Sequence, residues 1–114
     1  MKLESHATVL QVPDVREALA WFRDALGFEV RPYGDGSQYG YASRDGVYVH
    51  LSAPDPELWS AYAYVDDVDA LHGELVERGA EIVQPPTDKG YGVRDLLVRA
   101  PGGHVLAFGQ LLDR

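Results

Sequence analysis

Tyrosines recur at alternate positions in three short segments of this 114-residue chain, and they are its clearest candidates for binding chemistry. Alternate residues of a strand lie on one face of the sheet. The alternating pairs are Tyr39/Tyr41, Tyr48/His50 and Tyr62/Tyr64, and three further aromatic residues stand near turns and loops: Tyr33, Trp59 and Tyr91. Aromatic faces bind planar rings by stacking and cations through the ring quadrupole. The spacing predicts an aromatic trough for a small ligand, although tyrosine also favours strands and single members could simply cover a sheet.

Acid–base and metal chemistry have fewer candidates. The chain has four histidines and no cysteine, which excludes thiol nucleophiles, cysteine-bound metals and disulfides. His50 is either a polar group of the trough or a packed residue. Asp95 is the one acidic residue that we expect on the trough side of its strand, because it alternates with Leu97.

The charge balance is acidic, with ten Lys and Arg against eighteen Asp and Glu, a net charge of −8. Such a surface repels nucleic-acid phosphates, so we expect no nucleic-acid partner, whereas a cationic ligand would be attracted. The alternative is that the charge serves solubility, because seven of the acids fall in predicted turns, the linker and helix starts: Asp35, Asp45, Asp55, Glu57, Asp66, Asp67 and Asp69. No signal-peptide pattern or apolar run of ~18 residues is present, so we expect a cytoplasmic protein without a membrane partner.

The length favours a single domain over residues 1–114, and its pattern divides it into two modules. In the first, residues 3–53, a strand over 6–12 precedes a helix that begins after Asp14 and ends at Gly27. Three short strands follow, at about 28–33, 38–43 and 46–52. Residues 54–58 form a proline-containing linker.

The second module, residues 59–112, repeats this order. A helix begins after Asp67 and ends at Gly79, and the motif Val12-x-Asp14-Val15 recurs as Val65-x-Asp67-Val68. The predicted strands are 62–65, 80–83, 94–99 and 104–108, with a long loop over 84–91. The sequence therefore predicts an α+β fold built from two tandem βαβββ modules.

Tandem βαβββ modules with V-x-D at each helix start and Pro101-Gly102-Gly103 before the last strand resemble the vicinal oxygen chelate superfamily. That superfamily includes glyoxalase I, extradiol dioxygenases and bleomycin resistance proteins. The resemblance implies a curved mixed sheet whose modules form a cup, with four metal-ligand positions in the enzymes. Those positions match Ala7, His50, approximately Ser60, and Ala107. One ligating side chain in four cannot hold a divalent ion, so we expect no metal, no other cofactor and no catalytic residue.

Within the superfamily the chain is most similar to bleomycin resistance proteins, in segments such as Leu26-Gly27-Phe28, Tyr64–Leu71 and Gly92–Arg99. Those proteins bind their drug in an aromatic groove between two subunits, without metal or turnover. The resemblance implies a homodimer that sequesters an aromatic or cationic antibiotic. The expected ligand-binding residues are Tyr33, Tyr39, Tyr41, Tyr48, His50, Trp59, Tyr62, Tyr64, Tyr91 and Asp95.

Two alternative functions stay open at this point. A glyoxalase- or dioxygenase-superfamily enzyme acting on a small metabolite would use a metal, or His50 as a base with Asp95 as its partner. A small interaction module would bind neither a metal nor a small molecule. Whether the modules pair within one chain or between two chains is also open.

Overall fold

A computed structural model describes residues 1–113, which divide into two compact units. The N-terminal unit comprises residues 7–58, and the C-terminal unit comprises residues 59–113 together with residues 1–6. In this described part of the chain, no helix is both long enough and apolar enough to cross a membrane.

The N-terminal unit packs one helix on a four-stranded sheet. Its elements are β1 (Leu3–Gln11, from Ala7 onward), α1 (Val15–Leu26), β2 (Glu29–Tyr33), β3 (Tyr39–Arg44) and β4 (Val47–Ser52). The strand order is β2-β3-β4-β1, with β1 parallel to β4 and the other pairs antiparallel. Helix α1 begins where the Asp14 carboxylate accepts a hydrogen bond from the Glu17 N–H at 3.0 Å, and it ends at the left-handed Gly27 (φ 71°). The apolar face of the helix buries a core of Val15, Leu19, Phe22, Ala42 and Leu51.

The C-terminal unit repeats the arrangement. Its elements are β5 (Ala61–Val65), α2 (Val68–Glu77), β6 (Glu81–Asp88), β7 (Val93–Arg99), a 3₁₀ turn (Pro101–Gly103) and β8 (Val105–Leu111). The strand order is β5-β8-β7-β6, with β5 parallel to β8. The core under α2 consists of Val65, Val68, Leu71, Leu96 and Val98. Both units follow the βαβββ order, which confirms the predicted α+β fold of tandem modules.

Strand β1 begins three residues earlier than the sequence pattern predicts. The Lys2 N–H donates to the Asp66 carboxylate at 2.6 Å, and the Asp66 N–H donates to the Lys2 carbonyl at 3.1 Å. These contacts hold the start of the chain against the segment between β5 and α2. A partner 64 residues away leaves no local signal in the sequence.

The predicted loop over residues 84–91 is wrong for most of its length, because β6 continues to Asp88 through Pro85 and Pro86. Within its unit β6 pairs only with β7, and the register shifts between Ile82 and Gln84 and again between Gln84 and Thr87. Prolines lack an N–H donor, and an edge strand with bulges tolerates them on its unpaired side. The extended strand carries Gln84 to the face of the sheet where Asp95 lies.

Candidate functional site

The sheet of the N-terminal unit presents an aromatic face on the side away from α1. Gly40 packs on Leu19 and Ala42 lies in the core under the helix, so the alternating Tyr39 and Tyr41 point to the opposite side. The register pairs Tyr41 with His50, and His50 is 5% exposed. Strand alternation therefore brings these three predicted residues together.

His50 is held as a neutral imidazole within this face. Its Nδ1 and the Tyr39 hydroxyl are hydrogen-bonded at 2.6 Å, with the donor set by the imidazole tautomer. The Tyr41 ring meets the imidazole edge-on with centroids 5.0 Å apart, and the Arg31 guanidinium lies 4.9 Å from the Tyr41 centroid. Burial, followed by the charge of Arg31, lowers the pKa of His50 to about 4. Burial also raises the pKa of Tyr41.

Two more of the predicted residues lie on the same face but nearer solvent. Tyr33 pairs with Tyr39 across β2 and β3, and Tyr48 pairs with Ser43 across β3 and β4. Tyr33 and Tyr48 are both exposed. The face thus combines three buried or half-buried rings with two exposed phenols. Arg31, which the sequence reasoning missed, shares this face because it pairs with Tyr41 in the register of β2 and β3.

The C-terminal unit centres on a fully buried carboxylate instead. Asp95 is 0% exposed, and its Oδ2 accepts hydrogen bonds from the hydroxyls of Tyr62, at 2.9 Å, and Tyr91. Its Oδ1 accepts from the Gln84 amide at 3.1 Å, and the same amide donates to the Asp95 carbonyl at 3.0 Å. Burial, followed by the Asp95 charge, raises the pKa of Tyr62 far above its usual range, so Tyr62 stays a donor.

Lys89 supplies the positive charge beside this carboxylate. Its ammonium donates to the Gln84 side-chain oxygen at 2.6 Å and lies 4.0 Å from Asp95 Oδ1. Gln84 and Lys89 were missed because residues 84–91 read as a loop. A usable signal was present, since a buried carboxylate requires donors and both residues precede its strand closely in sequence.

Gly109 makes room for the Tyr62 phenol. A Cβ at Gly109 would lie 2.5 Å from the Tyr62 hydroxyl oxygen and 2.7 Å from the Val93 side chain. Any other residue at this point of β8 would displace the phenol from Asp95. Gly109 is therefore a positioning residue that the sequence reasoning also missed.

Trp59 and Tyr64 complete the aromatic set of this unit. The Trp59 and Tyr62 rings meet edge-on with centroids 5.3 Å apart, and the Tyr62 and Tyr64 rings are tilted at 5.2 Å. The Trp59 indole nitrogen is buried and has no hydrogen-bond partner among residues 1–113. Five predicted ligand-binding residues, counting Tyr91 and Asp95, thus belong to one connected group in the C-terminal unit.

The four positions that match the metal ligands of the superfamily enzymes do not suit a metal. Ala7 and Ala107 are buried and have no ligating side-chain atom. The Ser60 hydroxyl and His104 Nδ1 are hydrogen-bonded at 3.1 Å, and His50 is engaged by Tyr39. Throughout the described residues, no three His, Cys, Asp or Glu side chains are grouped so that they could hold an ion.

Comparison with known proteins gives one family and several relatives. The family model described as "Glyoxalase/Bleomycin resistance protein/Dioxygenase superfamily" matches residues 5–108. The curated protein "Putative glyoxylase CFP32" of Mycobacterium bovis is 29% identical over 112 residues, which covers 89% of this chain and 43% of the relative. The chain therefore spans less than half the length of that relative, and the Mycobacterium tuberculosis protein of the same name gives the same figures.

Solved structures of similar fold cover nearly the whole chain. A superfamily member from Vibrio splendidus 12B01 has a TM-score of 0.69 and 25% identity, with 96% of this chain and 99% of that chain covered. Methylmalonyl-CoA epimerase from Mycobacterium tuberculosis has a TM-score of 0.67 and 19% identity, with 96% and 87% covered. At that identity the epimerase shows a shared fold and nothing about activity.

Proposed function

Because the chain belongs to the glyoxalase/bleomycin resistance protein/dioxygenase superfamily, we propose that it binds and sequesters a small aromatic, cationic molecule without converting it. The proposed ligand class is an antibiotic of the bleomycin type, and sequestration would confer resistance to it. The observation that carries the proposal is the set of aromatic side chains on the helix-free faces of both units.

The aromatic residues support binding of a planar or cationic ligand. Each ring that stacks on a ligand ring, or faces a cation, contributes about 0.5–2 kcal/mol. In the N-terminal unit, Tyr33 and Tyr48 are exposed and Tyr41 is half-buried, and in the C-terminal unit Tyr91 is exposed and Tyr64 is half-buried. Several such contacts add to several kcal/mol, from which the entropic cost of association is subtracted.

The polar groups favour binding over catalysis. His50 is neutral and hydrogen-bonded to Tyr39, and Asp95 is enclosed by three side-chain donors. Each group is therefore used within the fold rather than placed as a general base at the surface. Asp95 does supply a negative charge beneath the aromatic residues, which suits a cationic ligand.

The proposal includes no metal or other cofactor and no nucleic-acid or membrane partner. Alanines at two of the metal-ligand positions, Ala7 and Ala107, support the proposal that no metal is bound. The net charge of −8 supports the exclusion of nucleic acid. It also includes a homodimer, because β2 and β6 each pair with one strand only, and a second copy could cover such edges.

A fluorescence titration tests this proposal. Metal-free bleomycin should quench the Trp and Tyr emission of the protein in a saturable way, with calorimetry giving the same dissociation constant. Tyr64→Ala should weaken binding by about 1–3 kcal/mol if the ring stacks on the ligand. Trp21→Ala is the matched control, because Trp21 is exposed on α1 and lies outside the aromatic faces. Absence of binding at high micromolar ligand would contradict the proposal for this drug class.

A superfamily enzyme acting on a small metabolite is the second candidate. The curated relatives carry the name of a glyoxylase, and the Tyr39–His50 hydrogen bond is a donor–acceptor pair that could orient a proton transfer. Elemental analysis of the purified protein, followed by turnover assays with the hemithioacetal of methylglyoxal and glutathione, separates the candidates. One divalent metal per chain together with turnover would reject the sequestration proposal and show that the protein is an enzyme.

A further inference from the structure

Arg31 is the one arginine among residues 1–113 whose guanidinium has no acceptor in the chain. The other six each donate hydrogen bonds to a carboxylate or a carbonyl oxygen: Arg16, Arg23, Arg44, Arg78, Arg94 and Arg99. The Arg31 guanidinium makes neither a hydrogen bond nor an ion pair there, and its central carbon lies 4.9 Å from the centroid of the Tyr41 ring. Because Arg31 is also exposed, its five N–H donors are open to a molecule from outside.

No carboxylate of the described chain neutralises this cation. Glu29 lies on the same side of β2, two residues away, and forms no ion pair with Arg31. The residues that follow Arg31 across β3 and β4 are Tyr41 and His50. After burial, the charge of Arg31 is the second influence on the pKa of each ring, and it lowers both. The helix-free face of the N-terminal unit therefore has a positive charge that is not paired with an acid.

Two phenol hydroxyls beside Arg31 also have no acceptor in the part of the chain that the structure describes. Tyr33 follows Arg31 on the same side of β2 and is 46% exposed, and Tyr41 is the cross-strand neighbour of Arg31. Tyr33 and Tyr41 are thus diagonal neighbours, a spacing within reach of aromatic side chains. By contrast, the Tyr39 hydroxyl is hydrogen-bonded to His50. The guanidinium and the two hydroxyls together form a group of donors that a ligand can use.

A carboxylate fits this group of donors. The planar fork of a guanidinium matches the two oxygens of a carboxylate, and such charge-assisted pairs are about twice as strong as neutral hydrogen bonds. One guanidinium balances one negative charge, and Glu29 on the same side of β2 disfavours a doubly charged group such as phosphate. The rings of Tyr33 and Tyr41 lie beside Arg31, so a planar aromatic ring that carries the carboxylate gains ring contacts as well.

We propose that Arg31, with the hydroxyls of Tyr33 and Tyr41, is a binding site for the carboxylate of an aromatic acid on the helix-free face of the N-terminal unit. This site goes beyond the proposed sequestration of a cation, for which the charge named above is Asp95 of the C-terminal unit. The two units therefore differ in the charge of the ligand group that they attract.

A titration with three ligands of one ring system and different charge tests the site. The ligands are 1-naphthoate, 1-naphthamide and 1-naphthylmethylammonium, and the amide resonances of β2 and β3 report binding to this face by NMR at constant ionic strength. 1-Naphthoate should bind at least about tenfold more tightly than 1-naphthamide, because only the carboxylate forms an ion pair with the guanidinium. The ammonium compound should bind this face no more tightly than the amide, because Arg31 repels it.

Arg31→Gln should remove the preference for the carboxylate. Its affinity for 1-naphthoate should fall about tenfold while its affinity for 1-naphthamide stays unchanged. Arg23→Gln is the matched control, because it removes the same charge from α1 on the other side of the sheet, where Arg23 pairs with the adjacent Asp24. A pH of about 7.5 keeps His50 neutral in every variant, since its pKa is about 4 here and 6.5 when unperturbed.

Two conservative variants separate the hydroxyl and the charge contributions. Tyr33→Phe keeps the ring and removes one donor, and it should lower the 1-naphthoate affinity by about threefold. Glu29→Gln removes the like charge on the same side of β2, and it should raise the 1-naphthoate affinity by about twofold without changing that for 1-naphthamide.

Equal affinities of the wild type for 1-naphthoate and 1-naphthamide would overturn the site, and so would an undiminished preference in R31Q. Displacement of 1-naphthoate by an equal concentration of inorganic phosphate would also overturn it, because the site would then accept anions in general. The bleomycin titration is independent of these results. R31Q should bind metal-free bleomycin at least as tightly as the wild type, because the substitution removes a positive charge, so either proposal can fail without the other.

Discussion

The two units share a fold but fill equivalent places with different chemistry. By the internal repeat, Tyr41 paired with His50 in the first module corresponds to Leu97 paired with Ala107 in the second. Likewise Tyr39 opposite Ser52 corresponds to Asp95 opposite Gly109. The first module therefore has a neutral imidazole–phenol pair. The second has a buried carboxylate in the equivalent pair of strands, two residues from Leu97.

The exchange between large and small side chains explains how both arrangements pack. In the first module Val9 on β1 lies beside His50 on β4, whereas in the second Tyr62 on β5 lies beside Ala107 on β8. The larger residue of the pair is therefore on the last strand of the first module (His50 on β4) but on the first strand of the second module (Tyr62 on β5). With alanine and glycine at positions 107 and 109, the Tyr62 phenol can cross β8 to reach Asp95. A repeated scaffold thus positions two unlike polar groups by redistributing volume.

The largest effect expected from this comparison is the loss of the carboxylate. Asp95→Ala should lower the free energy of unfolding by about 3 kcal/mol, because Tyr62 and Gln84 lose this acceptor in a buried place. Urea denaturation measures the change. Asp88→Ala removes an exposed acid that pairs with Arg94 at 3.0 Å and should cost less than about 1 kcal/mol. Similar costs for the two variants would mean that the carboxylate does not organise the C-terminal unit.

The imidazole of the N-terminal unit should produce a pH dependence with a defined sign. Its pKa is about 4 in the folded chain against 6.5 in the unfolded chain, so the unfolded state binds the proton first as the pH falls. The contribution of His50 is fully present above pH 6.5 and is lost between pH 6.5 and 4. At pH 5 the loss should reach about 2 kcal/mol.

The matched variant for this pH effect is His50→Gln, which keeps a hydrogen-bonding side chain without a titrating ring. Denaturation at pH 7 and pH 5 should show a smaller loss of stability for H50Q than for the wild type. The other three histidines are common to both proteins and cancel in the difference. Equal losses would show that the imidazole does not resist protonation in the fold.

Because Tyr62 fills the space left by Gly109, the effects of substitutions at these two positions on stability should not be additive. Gly109→Ala should destabilise the protein by about 1.5 kcal/mol, because the new methyl group lies 2.5 Å from the phenol oxygen. In a Tyr62→Phe background that oxygen is absent, but the methyl group still lies 2.7 Å from the Val93 side chain and 2.8 Å from the ring carbon Cε1. The same substitution should therefore cost less than in the wild type by only about 0.5 kcal/mol. Gly46→Ala is the control, since nothing lies within 4 Å of the added carbon and the backbone there has no positive φ. Strict additivity of the two changes would contradict the proposed packing.

Much of this arrangement follows from local sequence patterns. The two helices with their aspartate caps, and the sheet faces that carry Tyr39, Tyr41 and His50, come from periods of 3.6 and 2 that are visible in the residues. The sequence carries a weaker signal for the partners of Asp95, because prolines at 85 and 86 are typical of a loop and the bulges that place Gln84 depend on pairing with β7. The roles of Arg31 and Gly109 depend on their neighbours on adjacent strands. The register between strands cannot be predicted from the sequence of one strand alone.

The smallest effect concerns how Arg31 influences the imidazole. The guanidinium lies over Tyr41 and is the second cause, after burial, of the lowered pKa of His50. Arg31→Gln should therefore raise that pKa while leaving it below 6.5, because the buried position of the ring is unchanged. Proton NMR of the imidazole ring across a pH series measures the shift. Arg44→Gln is the control in the same unit, since its guanidinium donates to the Leu26 carbonyl at 2.8 Å and has no part in lowering the pKa of His50. A return of the His50 pKa to 6.5 in R31Q would make charge rather than burial the main cause. The neutral imidazole of the N-terminal unit would then be an effect of one surface cation instead of a property of the packed sheet.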